Sequence, residues 1–298
     1  MYFKNTIEAL GHTPLVEIAE MSPNKKVHIL AKMEGQNLGG SASIKDRIAK
    51  YMLDRAEQSG ELTRDKTIIE ATSGNTGIAL AWIARKKGYK VTIVMPENMS
   101  QERQQLIKMF GAELILTDRA HGVNGAIDTA CGLAAHDNKY FMPDQFSNPA
   151  NPLAHYETTG VEILNDFPHD RIDFLVVGIG TGGTLTGVGR RLREKHPEIK
   201  IIGVEPPPGD SIQGLRCLEE FVPPVLDLGL ISQRAIVTGC QAAEATRQLL
   251  DKEGIFAGLS SGAVAYQAMK IASEIEKGNI VAILPDGGWK YLSMNLWA

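Results

Sequence analysis

The sequence has no long hydrophobic run: nowhere do roughly 18 apolar residues stand together, which excludes a membrane-spanning helix. It also has little cysteine. Cys131, Cys217 and Cys240 are odd in number and widely spaced, so they outline neither a disulfide framework nor a metal site, and they fit a reducing compartment. Neither sign of charge dominates. With 31 Lys and Arg against 35 Asp and Glu, the net charge is −4, which argues against a nucleic-acid or membrane-surface partner. Internal repeats and low-complexity tracts are absent as well. The opening MYFKNTIEALGHTPLV carries neither the apolar core of a signal peptide nor the Arg- and Ser-rich bias of a transit peptide. A cytoplasmic protein is expected.

What is present is an alternation. KTIIEAT precedes the helical GIALAWIARKKG, KVTIVMP precedes QERQQLIKMFG, and ELILTD precedes GAIDTACGLAAH. The rhythm resumes with RIDFLVVGIG, GVGRRLREK and KIIGVEP, and closes with SSGAVAYQAMKIASEI and NIVAILPD. Continuous Val/Ile strands separated by helices predict an α/β protein with open, mostly parallel sheets covered on both faces. The length of 298 residues suits two domains, and DQFSNPANPLAHY, rich in Asn and Pro, is where the chain is expected to cross between them.

Loops after the carboxyl ends of parallel strands form the site in such folds. Three lie there: TSGNTG (72–77), GIGTGGTLTG (178–187) and GLSSGA (258–263). The middle loop matches G-x-G-x-x-G through Gly178, Gly180 and Gly183, and Glu205 ends the next strand about 20 residues on, as in a dinucleotide-binding oxidoreductase. A tight turn that merely packs a helix is the plainer alternative. GTGGT also offers consecutive backbone N–H groups with the hydroxyls of Thr181 and Thr184, a nest suited to one terminal phosphate. A dehydrogenase, moreover, has no use for Lys45, which follows NLGGSASI in the first turn of a helix whose apolar positions are Ile44, Ile48, Met52 and Ala56. A helix N-terminus suits anions, not ammonium groups, and a partly desolvated lysine there has its neutral amine favoured, as Schiff-base chemistry requires.

SIKDR, EATSGNTGIALA, MPENMSQER, GAELI, DQFSNPANP, HYETTG, GTGGTLTG and GIFAGLSSGA, in that order, resemble the cysteine synthase family from about Leu10 to Ser293. The resemblance implies a tryptophan synthase β-like fold with a smaller domain over 40–145 and a larger one over 1–39 plus 146–298. It implies pyridoxal 5′-phosphate as cofactor, bound covalently by Lys45, whose released amine then serves as base for the substrate α-proton. Gly180, Thr181, Gly182, Gly183 and Thr184 resemble the phosphate cradle. Asn75 matches the residue that bonds the cofactor's 3′-oxygen, and Thr72, Ser73 and Thr76, with Gln145, match the substrate-carboxylate contacts. Ser260 matches the partner of the pyridine nitrogen. A serine there cannot hold that nitrogen protonated as a carboxylate would, which favours elimination of a β-leaving group over transamination. The expected reaction is a β-replacement through α-aminoacrylate that makes L-cysteine from an activated serine and a sulfur donor. Sulfide, thiosulfate and a sulfur-carrier protein's thiocarboxylate are the candidate donors, and a homodimer is the expected assembly.

QGLRCLEEFVPP with Arg216, EGIFAG and the ending GWKYLS…LWA resemble the O-phosphoserine-using branch, in which an arginine pairs with the substrate phosphate. The alternative for Arg216 is a surface pair with Glu219 or Glu220, and MSQER with AELI also resembles the O-acetylserine-using cysteine synthase B branch. The chain departs from the family in three places. The approach Asn37–Lys45 is about two residues longer, His12 stands where asparagine is usual, and the segment before LWA is too short for a long lid, which leaves Trp297 to pack on the surface. A non-catalytic relative that binds metabolites is the third alternative beside oxidoreductase and cysteine synthase.

Overall fold

The computed structural model describes residues 2–72 and 74–297. In chain order the elements are β1 (Leu15–Glu17), β2 (Val27–Met33), α1 (Lys45–Ser59), β3 (Thr67–Ala71), α2 (Asn75–Lys87), β4 (Lys90–Pro96), α3 (Gln101–Met109), β5 (Glu113–Thr117), α4 (Gly122–His136) and β6 (Tyr140–Phe141). There follow α5 (Ala150–Ala154), a wide helical turn (His155–Thr159), α6 (Gly160–Asp166), β7 (Phe174–Gly178), α7 (Gly183–Lys195), β8 (Lys200–Glu205), β9 (Gln233–Ile236), α8 (Gly239–Glu253), α9 (Leu259–Glu274) and β10 (Gly278–Leu284).

The chain divides into two units, Met1–Leu10 with Asn37–Ala150 and Gly11–Gln36 with Asn151–Ala298. The change of unit after Ala150 falls inside the Asn- and Pro-rich stretch. The opening segment, expected with the larger unit, groups instead with the smaller one, because Leu10 is buried in that unit's core.

The smaller unit holds a four-stranded sheet in the order β5-β4-β3-β6, parallel throughout. Along β3 and β4 the side chains alternate between two cores. Ile68, Val91 and Ile93 join the residues of α2, while Ile69, Ala71 and Val94 join Ala126 and Ala130 of α4. Both sheet faces are therefore covered, which is why these strands read as unbroken apolar runs.

The larger unit holds a six-stranded sheet in the order β1-β2-β10-β7-β8-β9, in which only the β1–β2 pair is antiparallel. Its middle strand β10 buries Ile280 to Leu284 completely, each large side chain contributing about 1.5–3 kcal/mol. Helix α9 packs on β10, β7 and β2, and its small Ala263, Ala265, Ala268 and Ala272 allow the close approach. Thr238 and Gln241 close a capping box at the start of α8.

Strand β2 escaped the sequence reading because Lys32 interrupts its apolar pattern. Lys32 is nonetheless fully buried, with Nζ 2.8 Å from Glu162 Oε2 and donating to the Thr13 carbonyl at 2.5 Å. Among the described residues no helix is long and apolar enough to cross a membrane, and no group of three or more His, Cys, Asp or Glu could hold a metal ion.

Candidate active site

In the smaller unit, α1 begins at Lys45 itself, directly after Ile44. The glycines before it are required by close approach. A Cβ on Gly39 would stand 2.2 Å from the Asp46 carboxyl carbon, and one on Gly40 would stand 2.5 Å from the Cβ of Trp82 on α2. Asp46, fully buried in the first helical turn, folds this approach around itself: its two oxygens accept from the backbone N–H groups of Ser41 at 3.1 Å and Ser43 at 3.0 Å. Ser43 Oγ in turn accepts the Lys45 N–H at 3.1 Å. The longer Asn37–Lys45 approach is thus a bonded loop, and it leaves Lys45 half-buried at the helix start. Asp46→Ala strands two buried donors and is expected to cost about 2–5 kcal/mol, read as a lower urea midpoint.

The 72–77 loop follows β3. Ser73 lies outside the described residues. The Thr72 hydroxyl accepts the Gly74 N–H at 3.1 Å, and Gly74, with φ of +148°, precedes Asn75 at the first position of α2. A side chain on Gly74 would strike Arg103, which is buried across the loop. The Thr76 hydroxyl donates to Gln145 Oε1 at 2.7 Å, while Gln145 Nε2 donates to the Ala71 carbonyl at 3.3 Å. The structure therefore joins Thr72, Thr76 and Gln145 around a helix N-terminus with no side-chain cap, a setting that receives carboxylates.

In the larger unit, the Gly180–Thr184 turn links β7 to α7. Its glycines are spatially compelled: a Cβ on Gly180 would meet the Gly214 carbonyl at 2.5 Å, and one on Gly183 would meet Asn151 Oδ1 at 1.9 Å. Gly182 has φ of +82°, a left-handed conformation that favours glycine. The turn thus brings bare backbone and two hydroxyls to a helix N-terminus, a cradle that fits a terminal phosphate.

Ser260 and Arg216 lie beside it. The Arg216 N–H donates to the Ile179 carbonyl at 2.7 Å, and a Cβ on Gly214 would stand 3.5 Å from Ser260 Oγ. Ser260 is buried near the start of α9. Helix capping, the plainer expectation for it, falls to Gly258, and the Ser260 hydroxyl makes no hydrogen bond with a described residue. The Asp286 carbonyl holds this helix start by accepting from the Gly258 N–H at 3.0 Å and the Ser261 hydroxyl at 3.1 Å. Arg216 is half-buried, its guanidinium 4.8 Å from the centre of the Phe221 ring. Burial works against its charge and the Glu220 carboxylate supports it, while Glu220 Oε1 also accepts the Gly209 N–H at 3.2 Å.

Two expectations change. Glu205, offered as a ribose-binding acid, is fully buried with both oxygens used: Oε1 accepts from Arg234 Nε at 2.5 Å and Oε2 from the Leu218 N–H at 2.6 Å. Its place at the end of β8 looks like a dinucleotide fingerprint, but its chemistry is an internal ion pair. Trp297, expected on the surface, packs with Leu296 against the larger unit's core, its ring 4.5 Å from that of Phe256. His12 is exposed with φ of +51°, its N–H donating to Glu162 Oε1 at 3.0 Å. The position demands a left-handed backbone, which asparagine and histidine both tolerate better than most residues.

The family model "Pyridoxal-phosphate dependent enzyme" matches residues 7–286. The chain belongs to that family and is a pyridoxal-phosphate-dependent enzyme. It is similar to a cysteine synthase of Staphylococcus aureus, 42% identical over 305 residues that cover 99% of this chain and 97% of the relative. Its fold is similar to the crystal structure of O-ureido-L-serine synthase, with a TM-score of 0.94 and 40% identity, covering 100% of this chain and 96% of the other. It is similar also to the O-acetylserine dependent cystathionine beta-synthase from Helicobacter pylori, with a TM-score of 0.92 and 35% identity over 100% of both chains.

Proposed function

We propose that this enzyme makes L-cysteine by β-replacement, taking O-phosphoserine as the amino-acid donor. The 42% identity to a cysteine synthase, spread over nearly the whole of both chains, supports the reaction. Gly180, Thr181, Gly182, Gly183 and Thr184 would receive the cofactor phosphate, Lys45 would hold its aldehyde carbon, Asn75 its 3′-oxygen and Ser260 its ring nitrogen. When bound, the cofactor supplies an electron sink for bonds at the substrate α-carbon. Thr72, Ser73, Thr76 and Gln145 orient the substrate carboxylate, and the Lys45 amine takes the α-proton. Sulfide completes the replacement as L-cysteine directly, whereas thiosulfate would give S-sulfocysteine and a carrier protein's thiocarboxylate an S-acyl cysteine that hydrolysis then frees, in a cytoplasmic homodimer.

Arg216 carries the choice of phosphoserine. Its backbone is pinned to Ile179, one residue before the Gly180 turn, and Gly214 brings the same segment against Ser260. A half-buried guanidinium there offers two parallel donors to a phosphate dianion. O-Acetylserine is the second reading, favoured by the likeness to the Helicobacter pylori enzyme named for it.

Steady-state turnover with the two donors separates them. Wild-type enzyme is expected to prefer O-phosphoserine, and Arg216→Ala to lose roughly 10–100-fold in kcat/KM for it while O-acetylserine changes little. Equal losses with both donors, or an unchanged preference, would remove the role given to Arg216.

A further inference from the structure

Behind the Gly180–Thr184 turn lies a second layer of polar side chains from α5 and the wide turn after it. Asn151 is fully buried and donates through Nδ2 to Thr181 Oγ1 at 2.9 Å. His155, about as deeply buried, has Nε2 3.2 Å from Thr184 Oγ1 and Nδ1 3.0 Å from the hydroxyl of the buried Thr159. Taking Gly180–Thr184 as the phosphate cradle of the proposed function, on which this rests, we infer that Asn151 and His155 are positioning residues that turn both cradle hydroxyls outward as donors.

A threonine hydroxyl has one proton and two lone pairs, and it rotates to suit its neighbours. Thr181 Oγ1 accepts twice, from Asn151 Nδ2 and, at a long 3.4 Å, from the Gly183 N–H. Both lone pairs are engaged, so its proton points to the open side of the turn. At Thr184 the imidazole decides. With the proton on Nε2, His155 donates to Thr184 Oγ1 and accepts from the Thr159 hydroxyl, leaving the Thr184 proton for an anion. With the proton on Nδ1, Thr184 would donate back to the ring and present lone pairs to the cradle. An anionic ligand selects the first arrangement, a directed chain from Thr159 through His155 to Thr184.

The glycine spacing of α7 fits this layer. Gly183 and Gly187 share one helix face. A Cβ on Gly183 would overlap the Asn151 carboxamide, and one on Gly187 would stand 2.1 Å from the Pro152 carbonyl and 2.8 Å from the Cβ of His155. GGTLTG therefore has a second use beside the turn itself: it lets the segment bearing Asn151 and His155 lie directly on the helix. The wide turn His155–Thr159 places both of the ring's partners within reach, and such turns gather at functional sites.

The test compares affinities of the full chain, freed of cofactor, for pyridoxal 5′-phosphate and for pyridoxal. Their ratio isolates what the cradle gives the phosphate, whereas general damage to the fold weakens both. Asn151→Ala and His155→Ala are each expected to lower the ratio roughly tenfold while pyridoxal affinity holds. Combined with Thr184→Val, His155→Ala should lower it no further than Thr184→Val alone, and Asn151→Ala should behave likewise with Thr181→Val. Additive losses in the double variants, or parallel losses for the two aldehydes, overturn the inference. If Thr181→Val and Thr184→Val leave the ratio unchanged, the cradle reading itself fails; if they lower it while Asn151→Ala and His155→Ala do not, only the positioning role falls. Should His155→Ala not fold, His155→Gln keeps a donor at that place. It is expected to stay close to the wild-type ratio, and a ratio as low as that of Thr184→Val would refute the role of His155.

Discussion

Lys45→Ala protein is expected to lose the visible absorption of the wild-type enzyme and to lose cysteine synthesis by at least roughly 10²–10⁴-fold, the range of a missing acid–base group alone. The choice of lysine follows from the surroundings of the buried candidates. Lys32 has its Nζ 2.8 Å from Glu162 Oε2, and Lys290, also fully buried, has its Nζ 3.7 Å from Asp286 Oδ2. Both have a carboxylate beside them. Lys45 opens α1, where the helix dipole disfavours an ammonium and a neutral amine is the nucleophile required. Its position is set by Asp46, so the backbone there holds whether or not the side chain is long. Lys45→Ala should therefore fold with nearly wild-type thermal stability, and its loss of colour and turnover will report chemistry, not unfolding. Borohydride reduction followed by mass spectrometry gives the direct check: wild-type protein should carry the cofactor's mass on the peptide containing Lys45. A variant that keeps its colour and turnover, or a label on another lysine, would displace Lys45 from the mechanism.

The loops of this site were legible in the sequence because glycine records close approach. Gly39, Gly40, Gly180 and Gly183 each stand where a Cβ would overlap a neighbour, and such positions look alike in any chain that needs them. What escaped was pairing over long sequence separations. Lys32 lies in β2 and is paired with Glu162, 130 residues away. Glu205 looked available for a ribose until Arg234 and the Leu218 N–H took both its oxygens. Asn151 and His155 sat inside a stretch whose Asn and Pro suggested a crossing and in which Gln145 alone had a site role. Asp46 had a local signal, an acid in the first helical turn three residues after Ser43, and a capping argument could have found it.

Glu70→Gln is expected to match the wild type in stability near pH 4 and to exceed it by a few kcal/mol near pH 8. Glu70 lies at the end of β3, buried, with Oε2 making no hydrogen bond to any described residue. Desolvation pushes its carboxyl from the ordinary 4.5 up to about 8, helped by the Asp144 charge and opposed by the backbone N–H groups of Gln145, Asp144 and Ala71. In the unfolded chain the same group ionises near its ordinary value. Between about 4.5 and about 8 the native state therefore holds a proton that the unfolded state has released, so stability falls as pH rises through this window. Above it the carboxyl is ionised in both states and the penalty stays constant. Glutamine imitates the protonated acid at every pH, so the variant lacks this one contribution and keeps all others. Urea midpoints of both proteins at several pH values, converted with their m-values, isolate the difference. Parallel pH dependence in the two would show that Glu70 ionises as readily in the folded chain as in the unfolded one. Divergence in the expected direction would mean that Glu70 keeps its proton in the folded chain up to about pH 8, beside the Asp144–Gln145 turn where Gln145 receives the Thr76 hydroxyl.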